Sequence, residues 1–166
     1  MGMYANYMMV SDKELDEMME LDEDALLEYI DGLEEGDKNE VYCLDKLWDG
    51  MHFLLTGKSA EHPIDDDELS AAVVGVNNFE TDESFVACVE IEQLEDIVKE
   101  MEKVDIDTLW KKTKLSDFRK KKIYPDIWYD EDRDDLVKEM TEEFNSLLEF
   151  YRSALQKNMN VIISIY

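Results

Sequence analysis

An acid, an imidazole and a hydroxyl recur on one face of a predicted helix, and together these groups could transfer protons. Helical periodicity over residues 44–56 brings four polar side chains onto one stripe, opposite the apolar side chains: Asp45, Asp49, His52 and Thr56. A carboxylate three residues before a histidine can orient the imidazole and raise its pKa, as a general base requires. Asp49, His52 and Thr56 are therefore the candidate catalytic residues, although an ordinary surface helix displays a similar polar stripe.

The predicted helix ends at the first residue of the sequence TGKS, residues 56–59. Its Gly-Lys-Ser is similar to the last residues of a phosphate-binding loop. Such a loop needs a glycine five residues before its Gly-Lys-Ser, and it follows a strand and begins a helix. Here His52 occupies the required glycine position. Gly57 follows a helical segment, where a left-handed C-cap favours glycine. The spacing argues against a nucleotide-binding loop, and we expect Gly57 to end the helix.

Other sequence features indicate neither metal binding nor nucleophilic catalysis. The acids of DDDE, residues 65–68, do not alternate and include no glycine, unlike those of a calcium loop. Helix capping by Asp65 or Asp66 explains this run more simply. Cys43 and Cys88 have no metal-like spacing, and we expect both to be reduced thiols in the core of a cytoplasmic protein. We therefore expect no metal and no cofactor.

Charge is the strongest feature of the composition, since 43 acidic and 17 basic residues give a formal net charge of −26. Such a surface repels nucleic acid and anionic membranes at long range and attracts cationic partners. In addition, no apolar run approaches the roughly 20 residues of a membrane span. We therefore expect neither nucleic acid nor a membrane as a partner. The acids either bind a basic protein or only keep this protein in solution.

One segment departs from this acidity, because residues 111–122, KKTKLSDFRKKK, hold seven of the basic residues. We expect this basic island to dock onto the acidic helices of the same domain, because opposite charges attract one another. Binding of an anion is the alternative. The neighbouring aromatic loop contains Tyr124 and Trp128, which could form an interface or could fill the core. The candidate ligand-binding residues are these two together with Asp45 and Trp48.

Apolar periodicity predicts the elements that must position these groups. Strands are expected near residues 2–10, in SFVACVE at residues 84–90 and in NVIISIY at residues 160–166. Helices fill the intervals, and the clearest of them lies within residues 130–158. The layout predicts a single α+β domain over residues 1–166 that is mainly helical, with a small sheet that includes both terminal strands.

The order of these motifs resembles that of the YfbM-like family, small bacterial proteins of unknown function. The chain starts with MGM, and DKLWDGMHFLLTG at residues 45–57 is similar to the family's Trp-Asp pair, hydrophobic residue and His, and Leu-Thr-Gly. Two further stretches, DDELSAAVVG at residues 66–75 and IYPDIW at residues 123–128, are similar to later family elements. The resemblance covers nearly the whole chain. It implies a fold family but no activity.

Without a partnered nucleophile or a metal motif, the sequence favours a binding protein over an enzyme. We expect a cytoplasmic acidic module whose partner is a protein with a basic surface, and whose role is that of an inhibitor or an immunity protein. Electrostatic steering would speed the association of such a pair. The alternative hypothesis is a small-molecule-binding protein or enzyme with a cleft around Asp49, His52 and Thr56.

Overall fold

The computed structural model describes residues 2–166, and five strands of this part of the chain form one antiparallel sheet. The strands are β1 (Ala5–Val10), β2 (Val41–Asp45), β3 (Asn77–Asn78), β4 (Phe85–Val89) and β5 (Asn160–Ile165). Their order across the sheet is β2-β1-β5-β4-β3. The apolar strand β5 therefore lies at the centre, where both of its faces are buried.

Eight α-helices of the described residues surround this sheet. They are α1 (Asp12–Met19), α2 (Glu23–Glu35), α3 (Trp48–Thr56), α4 (Glu68–Val74), α5 (Ile91–Glu102), α6 (Ile106–Lys112), α7 (Leu115–Lys120) and α8 (Arg133–Lys157). A 3-10 turn, Asp130–Asp132, leads into α8. None of these helices combines the length and the apolar composition that are needed to cross a membrane.

Helices cover both faces of the sheet, because successive residues of a strand point to opposite sides. On one face, Met8 of β1 and Ile162 of β5 pack against α1 and α2. On the other face, Tyr7 of β1 and Ile163 of β5 belong to the larger core, to which α3–α8 all contribute. The protein thus has three layers, and this confirms the predicted α+β class, mainly helical, with both terminal strands in a small sheet.

Two buried tyrosines attach α4 to the centre of the protein. The Tyr7 hydroxyl donates to the Val73 carbonyl at 2.7 Å, and the Tyr151 hydroxyl donates to the Ala72 carbonyl at 2.7 Å. Burial raises the pKa of both phenols well above the ordinary value, so both remain donors at every physiological pH. These bonds hold α4 in a fixed position beside α3.

Strand β2 was not predicted, and it alters the start of the next helix. The helical periodicity that begins at Leu44 is misleading, because Leu44 and Asp45 end β2 and α3 begins only at Trp48. Asp45 has a φ of 59° there, is exposed, and is not on the helical stripe. Cys43 also lies in β2 and is exposed, so its predicted place in the core is wrong.

Candidate functional site

Helix α3 is buried on every side, although its sequence predicts one polar face. All eight residues from Trp48 to Leu55 are buried, including Asp49 and His52, which are 3% and 0% exposed. Gly57 ends the helix in the left-handed conformation with a φ of 80°, as predicted. Because the polar stripe faces protein and not water, its side chains need partners inside the fold.

Asp49 finds its partners in the loop that follows α3 and in the aromatic loop near α7. Its Oδ1 atom accepts hydrogen bonds from the Ser59 hydroxyl at 2.9 Å and the Ala60 amide at 2.7 Å. Its Oδ2 atom accepts one from the Tyr124 amide at 2.9 Å. Bonds of this kind to a carboxylate are stronger than bonds between neutral groups. Asp49 therefore fastens two loops to α3.

His52 connects α3 to α4 and to the α3–α4 loop (residues 57–67). Its Nδ1 atom is 2.6 Å from the Lys58 carbonyl, and its Nε2 atom is 2.8 Å from the Ser70 hydroxyl. Burial lowers the pKa of His52, and the neighbouring Asp49 carboxylate opposes this effect only in part. The charge of Asp49 raises the pKa of His52, as predicted, but less than burial lowers it. The predicted orienting role does not match this geometry, because the Asp49 oxygens bond to the loops.

Thr56 completes this buried cluster at the end of α3. Its hydroxyl donates to the His52 carbonyl at 2.7 Å and accepts from the Lys58 amide at 3.1 Å. Lys58 is therefore held by its amide and its carbonyl, through Thr56 and His52 respectively. The stripe of polar residues positions the backbone of the α3–α4 loop.

Ser70 is a member of this cluster that no spacing in the sequence indicates. Its hydroxyl faces His52 Nε2, as in a pair of nucleophile and base, and it also accepts from the Ile64 amide at 3.0 Å. Both side chains are enclosed, since Ser70 is only 1% exposed. A substrate in solvent does not reach the Ser70 hydroxyl in this conformation, so the geometry supports a positioning role.

Of the three predicted ligand-binding aromatics, Trp48 and Trp128 are buried. Trp48 stacks on Tyr124 with ring centroids 5.4 Å apart, and its indole donates to the Met3 carbonyl at 3.1 Å. Tyr124 is half-buried. Trp128, in contrast, is 1% exposed, donates to the Ile123 carbonyl and packs on Phe118. Trp128 therefore fills the core and does not form part of a surface interface.

The basic island behaves differently from the sequence-based expectation. Arg119 pairs with Asp130 at 3.4 Å, but within residues 2–166 none of the six lysines of residues 111–122 has a carboxylate within ion-pair distance. All six lysines are exposed: Lys111, Lys112, Lys114, Lys120, Lys121 and Lys122. The lysines of the island do not dock onto the acidic helices, because their charges face solvent.

An acidic groove of about 560 Å³ lies between the α3–α4 loop, α4 and α5. Six carboxylates line it, and no lysine or arginine does: Asp65, Asp66, Asp67, Glu68, Glu92 and Asp96. Apolar side chains such as Ile64, Val74 and Val76 complete the lining. Asp67, and not Asp65 or Asp66 as predicted, caps α4. Among the described residues, no three potential ligand side chains are grouped so as to hold a metal ion.

The fold and the buried cluster define a small α+β protein in which helices cover both faces of an antiparallel sheet. A family model described as a domain of unknown function, DUF1877, matches residues 1–164, and the chain belongs to this family. The match agrees with the resemblance to the YfbM-like family that the sequence motifs indicated.

Two matches to YfbM, one in sequence and one in structure, show how far the likeness extends. The chain is 26% identical over 167 residues to Protein YfbM of Escherichia coli (strain K12), and the match covers 99% of each protein. The crystal structure of YfbM from Escherichia coli, described as a protein of unknown function, has a TM-score of 0.80 to this chain at 24% identity. That match covers 98% of this chain and 99% of the other. The structural likeness shows a shared fold.

Proposed function

We propose that the protein is a non-enzymatic binding module whose acidic groove takes a basic segment of a partner protein. The observation that carries the proposal is the set of six groove carboxylates. Within residues 2–166, none of these carboxylates belongs to an ion pair, although seven other acidic residues do. The groove therefore presents negative charge that the protein itself leaves without a counter-charge.

The shape of the groove suits a basic segment that also carries apolar side chains. Ile64 is only partly buried and Val76 is exposed, so a ligand that covers them would remove apolar area from water. Lysine or arginine side chains of the same ligand would meet the surrounding carboxylates. Apolar contact would supply affinity, and the charges would supply orientation and a high association rate.

The net charge of −26 extends this attraction beyond the groove. A strongly acidic protein accelerates its encounter with a basic partner, most of all at low ionic strength. This behaviour suits an inhibitor or an immunity protein that must cover a basic functional surface before that surface acts. We therefore propose that the protein acts as an inhibitor or an immunity protein.

The alternative hypothesis, a small-molecule cleft or active site at Asp49, His52 and Thr56, has less support. The polar atoms of Asp49 and His52 already bond to the loops and to α4. These residues are also buried, and Thr56 is only partly exposed. A ligand at these atoms would have to displace the bonds that hold the α3–α4 loop.

Two variants of equal charge test the proposal. The first neutralises four groove carboxylates: Asp65→Asn, Asp66→Asn, Glu92→Gln and Asp96→Asn. The second neutralises four exposed carboxylates on α1, at its C-cap, on α2 and on α8: Asp16→Asn, Glu20→Gln, Glu28→Gln and Glu139→Gln. Each variant and the unchanged protein would serve as bait in a low-salt lysate of the cells that make the protein, with quantitative mass spectrometry of the captured proteins.

We expect one basic protein to be captured by the unchanged protein and by the second variant, and to be lost from the groove variant. Raising the salt concentration should weaken the capture, because the attraction is electrostatic. Equal capture by both variants would show that only net charge matters. If no basic protein is captured at low salt, the proposed function is wrong.

A further inference from the structure

We propose that the α3–α4 loop and the basic island together form a binding site for a small molecule that carries a phosphate group. A cavity of about 400 Å³ lies between them and is lined by Gly57, Lys58, Ser59, Glu61, His62 and Lys121. We refer to it as the lysine cavity. It shares no lining residue with the acidic groove, so the inference does not depend on the function proposed above.

The charges around the lysine cavity favour an anion. Lys58 follows α3, whereas Lys121 follows α7, and the fold brings these distant parts of the chain to one cavity. Both lysines are exposed, and within residues 2–166 neither belongs to an ion pair. Glu61 is the single carboxylate in the lining, and Lys120 and Lys122 flank Lys121 in the chain. The lining has more positive than negative side chains in a protein that is otherwise strongly acidic.

The buried cluster below the cavity fixes one of its walls. Thr56 and His52 bind the amide and the carbonyl of Lys58, and Asp49 accepts from the Ser59 hydroxyl. The backbone that carries Lys58 and Ser59 is therefore ordered before a ligand arrives. A preformed wall reduces the entropy that binding must remove from the protein. This gives Asp49, His52 and Thr56 a positioning role for the site.

The mode of binding differs from that of a nucleotide-binding loop, although Gly57, Lys58 and Ser59 occur in both. The Gly57 amide donates to the Phe53 carbonyl at 2.8 Å, as the end of a helix requires. It is therefore not free to join a nest of amides around a phosphate. Side chains would hold the ligand instead: ammonium groups of Lys58 and Lys121 as point charges, with the His62 ring at the same cavity.

The size of the cavity limits the ligand to a small molecule. A volume of about 400 Å³ is near the lower end of the range of small-molecule sites, which begins at about 300 Å³. A nucleic acid strand would approach the same phosphate-binding groups against the repulsion of a net charge of −26. The repulsion of a small anion is weaker, because it carries fewer charges and, when it is bound in the cavity, salt screens it from carboxylates more than about 8 Å away.

This inference is tested by titrating the full chain with inorganic phosphate at constant ionic strength and recording its amide NMR spectrum at each step. We expect saturable shifts at residues 57–62 and near Lys121, and none when chloride replaces phosphate. Lys58→Gln and Lys121→Gln should each weaken phosphate binding by about tenfold or more, since each removes a charged contact. The matched control is Lys111→Gln, an exposed lysine of the basic island that does not line the cavity, and it should bind normally.

Three results would overturn the inference. The first is the absence of saturable shifts at up to about 20 mM phosphate, which corresponds to negligible affinity. The second is an equal loss of binding in Lys111→Gln and Lys121→Gln, which would indicate diffuse attraction by the whole island. The third is tighter binding of a single-stranded oligonucleotide than of a sugar phosphate, which would identify a nucleic acid surface.

Discussion

The Nε2 atom of His52 lies 2.8 Å from the hydroxyl oxygen of Ser70, and this buried contact joins α3 to α4. The Lys58 carbonyl can only accept, so the Nδ1 atom of His52 must carry the proton in that bond. In the neutral imidazole, Nε2 is then an acceptor, and the Ser70 hydroxyl donates to it. The same hydroxyl accepts from the Ile64 amide, so each group in this chain of bonds has a definite role.

Replacing Ser70 with alanine should destabilise the protein without changing its fold. The change leaves His52 Nε2 and the Ile64 amide without their partner, and an unsatisfied buried group costs about 1–3 kcal/mol. Urea unfolding followed by circular dichroism measures the difference. The control is Ser146→Ala on the exposed side of α8, which should change the stability by less than about 0.5 kcal/mol.

His52 should make the stability of the protein depend on pH below about 6.5, the ordinary pKa of histidine. Burial lowers the pKa of folded His52, against the opposing effects of the Lys58 carbonyl, Asp49 and Asp67. As the pH falls, the unfolded chain therefore binds a proton at a higher pH than the folded protein does. The contribution of His52 to the free energy of unfolding is fully present above pH 6.5 and is lost as the pH falls through the pKa of folded His52. The loss is about 1.4 kcal/mol for each unit by which the two pKa values differ.

Unfolding free energies measured between pH 5 and pH 8 test this pH dependence. The protein with His52→Asn should have a flatter profile over this range than the unchanged protein, whatever its absolute stability. The His62→Asn variant leaves His52 as the only imidazole, so its NMR titration can be followed directly. A His52 ring that titrates above the ordinary value would contradict the prediction.

Asp49→Asn should loosen the two loops that this residue holds. The amide keeps one oxygen, and its NH₂ group must face at least one of the donors from Ser59, Ala60 and Tyr124. Since bonds to a charged group contribute about 1.5–3 kcal/mol, we expect a loss of stability of that order. Hydrogen exchange should become faster at the Ala60 and Tyr124 amides. Asp16→Asn, an exposed substitution on α1, should leave both amides protected.

Two glycine substitutions should have opposite effects on stability. In α3, a Cβ at position 50 would overlap the indole ring of Trp128, so Gly50→Ala should cost about 1–3 kcal/mol through overpacking.

In α2, a Cβ at position 32 meets no atom within 4 Å. Gly32→Ala should therefore stabilise the protein by about 0.5–1 kcal/mol, because alanine has the better helix propensity. Thermal unfolding of both variants compares the two directly.

Much of the fold could be predicted because its elements carry strong local patterns. The apolar run of β5 indicated a central strand, and the spacing in α8 indicated a long amphipathic helix; both are confirmed. Strand β2 escaped prediction for a physical reason. It lies at the edge of the sheet, and its exposed residues Val41 and Cys43 are apolar, like the inward-facing Tyr42 and Leu44. The sequence therefore lacks the polar and apolar alternation that marks a half-buried strand.

The environment of α3 could not be read from its sequence. A polar stripe normally indicates water on one side of a helix, but here the α3–α4 loop covers it with backbone groups that bind Asp49, His52 and Thr56. Backbone amides and carbonyls are the same in every sequence, so they leave no pattern to find. The acidic groove was equally hidden, because Glu92 and Asp96 of α5 join Asp65 and Asp66 only in the folded chain.

The pairing of β1 with β5 has a consequence for how the protein folds. Ala5 lies opposite Ile165, and the Tyr4 amide donates to the Tyr166 carbonyl at 3.0 Å, so the two ends of the described chain are neighbours. During translation, β1 cannot pair with β5, and the middle of the sheet cannot form, until β5 has left the ribosome. Contacts so distant in sequence slow folding. A circular permutant that joins these ends through a short linker would turn this pairing into a local hairpin, and it should fold faster.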